Sequence, residues 1–167
     1  NVLMRYTLRM LTTQQFQRAA SLICAMEFLR RNPQAVRIQA IPGSRFSLGL
    51  WIGGDGSPNR IDTARVGINQ FRHGDLDGNP LILTDCPWCR AEIGRYEGQR
   101  PTKKPRIPDA DWNKMRVRGI SDQGGNEGPR LHCTDCKCEY GNQDPDRWLP
   151  VEVIDERIYR LRPSLVI

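Results

Sequence analysis

Apolar positions along this chain fall into a few well-spaced runs, separated by one long stretch that has almost none. Residues 2–8 (Val2-Leu3-Met4-Arg5-Tyr6-Thr7-Leu8) form a short apolar run that predicts a buried strand. Phe16, Ala19, Ala20, Ile23, Met26 and Leu29 then recur at helical spacing. Thr12 and Gln15 are spaced as a capping box, so the helix is expected over about 12–31, with Asn32-Pro33 ending it. Cys24 lies within that helix and reads as a small buried apolar residue. Phe46 to Ile52 is a second strand, with Trp51 expected in the core, and Gly53-Gly54 stops it. Pro58 or Asn59 suits the first turn of a short helix reaching about Phe71. Regular structure fades after His73 and resumes at Trp148, and Leu161 to Ile167 predicts a closing strand.

The stretch 74–150 is rich in Gly, Pro, Asp, Arg and Lys. Such a segment can hardly build a core unaided and needs a staple. Segments 101–108 and 124–129 read as exposed loops, and Arg116-Val117-Arg118 alternates like a strand with one wet face. This divides the chain into 1–73, an insertion at 74–150, and a return strand within 151–167.

The net charge of +6 favours a polyanionic partner only weakly. No apolar run approaches the ~20 residues of a membrane helix, and Arg5 and Arg9 interrupt any signal-peptide pattern. No membrane role is expected, and the reducing cytoplasm is the expected location. The apolar run at Asn1 and the apolar end at Leu165-Val166-Ile167 lead us to expect a piece of a longer polypeptide.

The six cysteines carry the clearest chemistry. Cys86-Pro87-Trp88-Cys89 is a turn from which two thiolates can reach one metal. Cys133-Thr134-Asp135-Cys136-Lys137-Cys138 offers a second pair, either Cys133 with Cys136 or Cys133 with Cys138. Four thiolates make a closed tetrahedral site, which suits structural zinc (Zn2+) and leaves no open catalytic position. With 43 residues between Cys89 and Cys133, the metal would close a long loop and replace a missing core. Spacing alone favours Cys136 slightly as the fourth ligand. His132 is a poor candidate, because adjacent residues rarely bind one metal comfortably. Trp88 is expected to pack beneath the metal rather than stack on a base.

At the other end, a strand runs into Thr7 and Arg9, and a helix carries Gln14 in its expected first turn. Backbone amides at a helix start, beside a hydroxyl and a guanidinium, suit a phosphate group. Arg100, Lys103, Lys104 and Arg106 form a basic loop that suits either solvent or a nucleic-acid backbone. There is no G-x-x-x-x-G-K-[ST] phosphate loop, and Asp155-Glu156 reads as a surface pair ahead of the last strand. This segment is therefore not expected to hydrolyse ATP alone.

Arg9-Met10-Leu11-Thr12-Thr13-Gln14 resembles the R-x-L-x-x-Q core of motif Ia in superfamily-two helicases. Phe46 to Gly54 resembles that family's strand ending in Gly-Gly, and Arg162 to Ile167 resembles its next strand. More narrowly, segments 3–9, 14–20, 49–54 and 155–167 resemble the DrmA-like helicases of the DISARM anti-phage defence system. The resemblance implies an α/β fold, a partial RecA-like parallel sheet with an inserted zinc-binding module. It implies an ATP-dependent DNA helicase or translocase whose ATP and Mg2+ ligands lie outside this segment. Thr7, Arg9, Gln14, Gly53 and Gly54 would meet the DNA backbone, and a partner protein of a defence complex is implied. It also implies Cys138 rather than Cys136 as the fourth ligand, with Cys86, Cys89 and Cys133. The alternative is a non-enzymatic zinc-ribbon module that binds nucleic acid or a partner protein.

Overall fold

The computed structural model describes residues 2–4, 9–34, 37, 39–53, 56–96, 98, 108–141 and 144–167, with the backbone alone for 9–13. In chain order, β1 is Val2–Leu3, α1 Arg9–Arg31, β2 Leu48–Gly49 and α2 Ile61–His73. Then come β3 Gly94–Arg95, α3 Asp109–Arg116, β4 Val117–Arg118, β5 Ile120–Asp122 and β6 Pro129–Leu131. The chain closes with β7 Val151–Glu152, α4 Asp155–Leu161 and β8 Leu165–Val166.

Four of these strands form one sheet in the order β1-β8-β2-β7, and all its pairings are parallel. The expected adjacency of the chain's two ends is present: Val2 lies opposite Leu165 and Leu3 opposite Val166. The ladders are shorter than the apolar runs. Single backbone bonds extend them, including Met4 N–H to the Val166 carbonyl (2.8 Å) and Trp51 N–H to the Ile167 carbonyl (2.7 Å). β7 was not foreseen. Neither was α4, which crosses from β7 to β8 on the far side of β2 and occupies residues 155–161 ahead of the expected strand. α4 ends because Arg162 turns left-handed at φ 49° and Pro163 follows.

Gly49 explains how α4 can lie so close to β2. A Cβ there would stand 3.2 Å from the Pro163 ring and 3.3 Å from Ile158. Asp155-Glu156, expected on the surface ahead of the last strand, follows β7 and opens α4, with Glu156 exposed. Asp155 is only 8% exposed. Glu156 accepts the Ile61 N–H at 3.0 Å and so caps the start of α2, which has no cap of its own. Between them, Arg157 is buried and grips Glu152 of β7 through two hydrogen bonds of 2.6 and 3.0 Å. Burial disfavours its charge, but Glu152 and Glu127 outweigh that and raise its pKa.

α1 begins at Arg9, earlier than the Thr12 start that the sequence suggests. Its buried face is Phe16, Ala20, Ile23, Cys24 and Glu27, so the apolar stripe is rotated slightly from the expected one, and Ala19 and Met26 flank it. Glu27 accepts both Arg30 hydrogen bonds and the Phe46 N–H at 3.0 Å, which ties the end of α1 to the amino end of β2. α1 therefore starts at the carboxyl edge of the sheet.

Residues 74–150 do not stand apart. Leu81, Leu83, Ile93, Val117, Ile120, Leu131 and Tyr140 join Phe16, Leu48 and Phe71 in one continuous buried cluster. Two small antiparallel pairs, β3 with β4 and β5 with β6, shape the segment. Val117 is buried and Arg118 exposed, as the alternation suggests, while Arg116 closes α3. Arg65 of α2 holds Asp122 of β5 at 2.7 and 3.2 Å. The segment's buried residues share their core with α1 and α2. Trp51 departs from expectation, being 48% exposed at the carboxyl end of β2.

Replacing Arg157 with Met leaves Glu152 buried and unpaired, which should cost about 3–5 kcal/mol in urea denaturation. Adding Glu152→Leu should restore much of that loss. A single-variant cost below about 1 kcal/mol would show that this pair does not hold α4 to β7.

Candidate metal centre and strand-edge residues

The first cysteine pair sits on a tight turn. Cys86 N–H donates to the Ala91 carbonyl (2.8 Å), Arg90 N–H donates to the Cys86 carbonyl (2.9 Å), and Arg90 takes a left-handed φ of 67°. An isolated bridge between Asp85 and Glu92 closes the base of the turn. The second pair is shaped by Asp135. Its carboxylate accepts the Lys137 N–H (2.9 Å) and its carbonyl accepts the Cys138 N–H (3.0 Å). That local turn throws Cys136 outward and returns Cys138 inward. Cys133 N–H bonds the Tyr140 carbonyl at 2.8 Å, which fixes the other side.

The Sγ atoms of Cys86, Cys89, Cys133 and Cys138 all lie within 4.8 Å of one another. Cys89 and Cys133 are 3.3 Å apart, and Cys86 and Cys138 are 3.9 Å apart. A tetrahedron of sulfurs around zinc has edges of about 3.8 Å, so the set is the right size for such an ion. Cys136 is exposed and outside the group, so the spacing argument for it fails and the geometry agrees with the resemblance. His132 also stays outside, its ring tilted against Trp148 at 5.5 Å.

Electrostatics make this a poor place for free thiols to ionise. Burial, the largest effect, pushes the pKa values of Cys133 and Cys138 up. Burial also opposes ionisation of Cys89, but the Ala91 N–H and the neighbouring thiols outweigh it and lower its pKa. A divalent cation is the natural compensation for thiolates held this close. The group can hold a metal ion, and an all-sulfur set suits zinc.

The cluster rests on α1. Trp88 lies against Phe28 of α1 at 5.2 Å and meets Tyr140 edge-on at 5.9 Å, while 39% of it stays exposed. Ser21 donates to the Pro87 carbonyl at 2.9 Å. Tyr140 is fully buried, and its hydroxyl donates to the Cys24 carbonyl. Cys24 is itself fully buried, with its thiol pKa raised first by burial and then by Cys86 and Cys138. Tyr140 and Ser21 escaped the sequence reading. Only the position of Tyr140, just past Cys138, gave any signal.

The residues expected near DNA are less fully described. Thr7 and Gly54 lie outside the described residues, as does the basic loop of Arg100, Lys103, Lys104 and Arg106. Arg9 is the first residue of α1, inside the helix rather than ahead of it, and its side chain is outside the description. Gln14 is exposed on the same helix. Gly53 follows β2 with φ 82°, and a Cβ there would meet no atom of the described residues within 4 Å, which leaves room for close approach. Trp51 stands beside it, edge-on to Tyr159 at 5.6 Å. No helix among the described residues is long and apolar enough to cross a membrane.

Cys138→Ser should lose bound zinc, measured by elemental analysis, whereas Cys136→Ser should keep it. Equal losses would reject the assignment. Because the metal must displace the protons of Cys133 and Cys138, whose pKa values burial raises, affinity should fall as pH falls. The expected slope is about tenfold per pH unit for each proton displaced. Competition with a chromophoric chelator between pH 8 and 6 reads it.

No protein-family model and no solved structure matches the chain. One relative does, and the chain spans 13% of that relative's length. Over 175 aligned residues, covering 99% of its own length, this chain is similar at 29% identity to the DISARM protein DrmA of Bacillus paralicheniformis.

Proposed function

We propose that this chain is the strand-gripping part of an ATP-dependent superfamily-two helicase or translocase that acts on DNA in bacterial anti-phage defence. The observation that carries the reading is the parallel sheet, read together with the end-to-end similarity to DrmA. In a parallel α/β sheet, ligands are met at the carboxyl ends of the strands. The start of α1 and Gly53 share that edge here. In this reading the sheet is RecA-like. Arg9 and Gln14, with Thr7 and Gly54, contact the sugar-phosphate backbone, and Gly53 lets the strand come close. Contacts of this kind position a strand without reading its sequence.

The four-cysteine centre holds structural zinc through Cys86, Cys89, Cys133 and Cys138. It keeps residues 74–150 seated on α1, the helix that carries Arg9 and Gln14. ATP and Mg2+ bind elsewhere in the full-length protein and supply the energy for movement. A partner protein of the defence complex and a cytoplasmic setting belong to the same reading. A free-standing zinc ribbon is the alternative. It has less support, because the first cysteine turn is bonded to α1 through Ser21 and Trp88.

In the full-length protein, Arg9→Ala should weaken DNA binding with little dependence on sequence. It should also reduce the slope of log affinity against log salt by about 1. DNA-stimulated ATP turnover should fall with it. Unchanged binding, slope and turnover in this variant would remove Arg9 from the DNA contact.

A further inference from the structure

At the amino ends of the parallel strands, opposite Gly53, lies a cavity of about 280 Å3. Ser47, Pro150 and Ser164, which immediately precede β2, β7 and β8, form its floor. Four arginines line it, Arg45, Arg130, Arg157 and Arg162, against two carboxylates, Glu127 and Glu152.

Both carboxylates are already engaged. Arg157 holds Glu152 in a two-pronged pair and lies 3.5 Å from Glu127, which also meets Arg160 at 3.5 Å. No ion pair reaches Arg45 or Arg130 among the described residues. Arg45 donates one N–H to the Trp148 carbonyl, but its Nε is buried with no hydrogen-bond partner. Arg130 lies over the Trp148 ring at 5.3 Å, and its guanidinium makes no hydrogen bond among the described residues. Burial, and then Arg130 itself, push Arg45 below the usual arginine range, and burial does the same to Arg130. Two half-buried guanidiniums line one cavity, neither is in an ion pair among the described residues, and one keeps an orphaned donor, an arrangement that suits an anion.

We propose that Arg45 and Arg130 hold a phosphate group in this cavity, with the hydroxyls of Ser44 and Ser47 as further donors. A phosphate offers several acceptor oxygens to two guanidinium forks at once, which a single carboxylate cannot do as well. The group is either a free phosphate ion or the terminal phosphate of a nucleic-acid strand. This site is separate from the proposed DNA contact, which lies at the other edge of the sheet, and neither depends on the other.

The test uses the full-length protein in chloride buffer. Sodium phosphate is added at matched ionic strength, with thermal midpoint and calorimetric binding as readouts. Phosphate should raise the wild-type midpoint. Arg130→Gln should weaken the phosphate response at least tenfold, read against that variant's own midpoint in chloride. Arg130→Lys keeps the charge without the fork and should fall between the two. Comparing each variant with wild type separates this cavity from any nucleotide site elsewhere in the chain. A short oligodeoxynucleotide with and without a 5′-phosphate distinguishes the sources. A 5′-phosphate effect lost in Arg130→Gln assigns the strand end, and a response to inorganic phosphate alone assigns the free ion. A wild-type midpoint indifferent to phosphate, or an Arg130→Gln response equal to wild type, overturns the proposal.

Discussion

β8 has a strand on each side, β1 and β2, both parallel to it. That pairing joins residues from the two ends of the chain, and most other features are arranged around it. The crossover through α4 exists to deliver β8 to its place between them. The close fit of α4 over Gly49 follows from that crossing. The start of α1 and the turn at Gly53 reach the same edge because β1 and β2 flank one central strand and point the same way. Without the inner strand, those two segments would have no common frame.

The cysteine centre is a second constraint, and it acts on a different part of the molecule. The loop from Cys89 to Cys133 has apolar residues, but they are scattered among Gly, Pro and charge. They become a core only by joining α1 and α2. Four sulfurs then lie together where the two ends of that loop meet. Trp88 and Tyr140 carry the fixed geometry into α1. The metal-sized cluster and the aromatic layer under it form one structural unit.

Much of the fold was legible in the sequence, where a period or a chemical pattern was strong. The helix ending at Arg31 was read from apolar spacing; the second helix was read from the Pro58-Asn59 start signal, but it begins later, at Ile61, and runs to His73. The strand pair at the chain ends was read from short apolar runs and family resemblance, although β1 is exposed rather than buried. What failed was local. The capping box at Thr12 suggested too late a start, because α1 extends toward β1 regardless of that signal. Asp155 looked like surface charge but is buried, whereas Glu156 is exposed as expected, and nothing in the sequence shows that α2 lacks its own cap and takes one from Glu156. Trp51 looked like core because a strand residue between Leu50 and Ile52 usually is, but β2 has reached its end there. For the metal centre, spacing pointed weakly to Cys136. The turn organised by the Asp135 side chain brings Cys138 rather than Cys136 beside the other three thiols, and only coordinates reveal such a turn.

The shared start of α2 and α4 has a mechanical meaning. Asp155 and Glu156 N–H groups bond the Pro58 and Asn59 carbonyls, while the Glu156 side chain returns a bond to Ile61. The two helices are thus buttoned together at their first turns by reciprocal bonds. α4 sits on the parallel sheet, and α2 grips the cysteine-bearing segment through Arg65. Any sliding of α4 across β2 must drag α2, and with it the far side of the molecule, so a displacement at the strand edge is transmitted as a rigid tug rather than absorbed as slack.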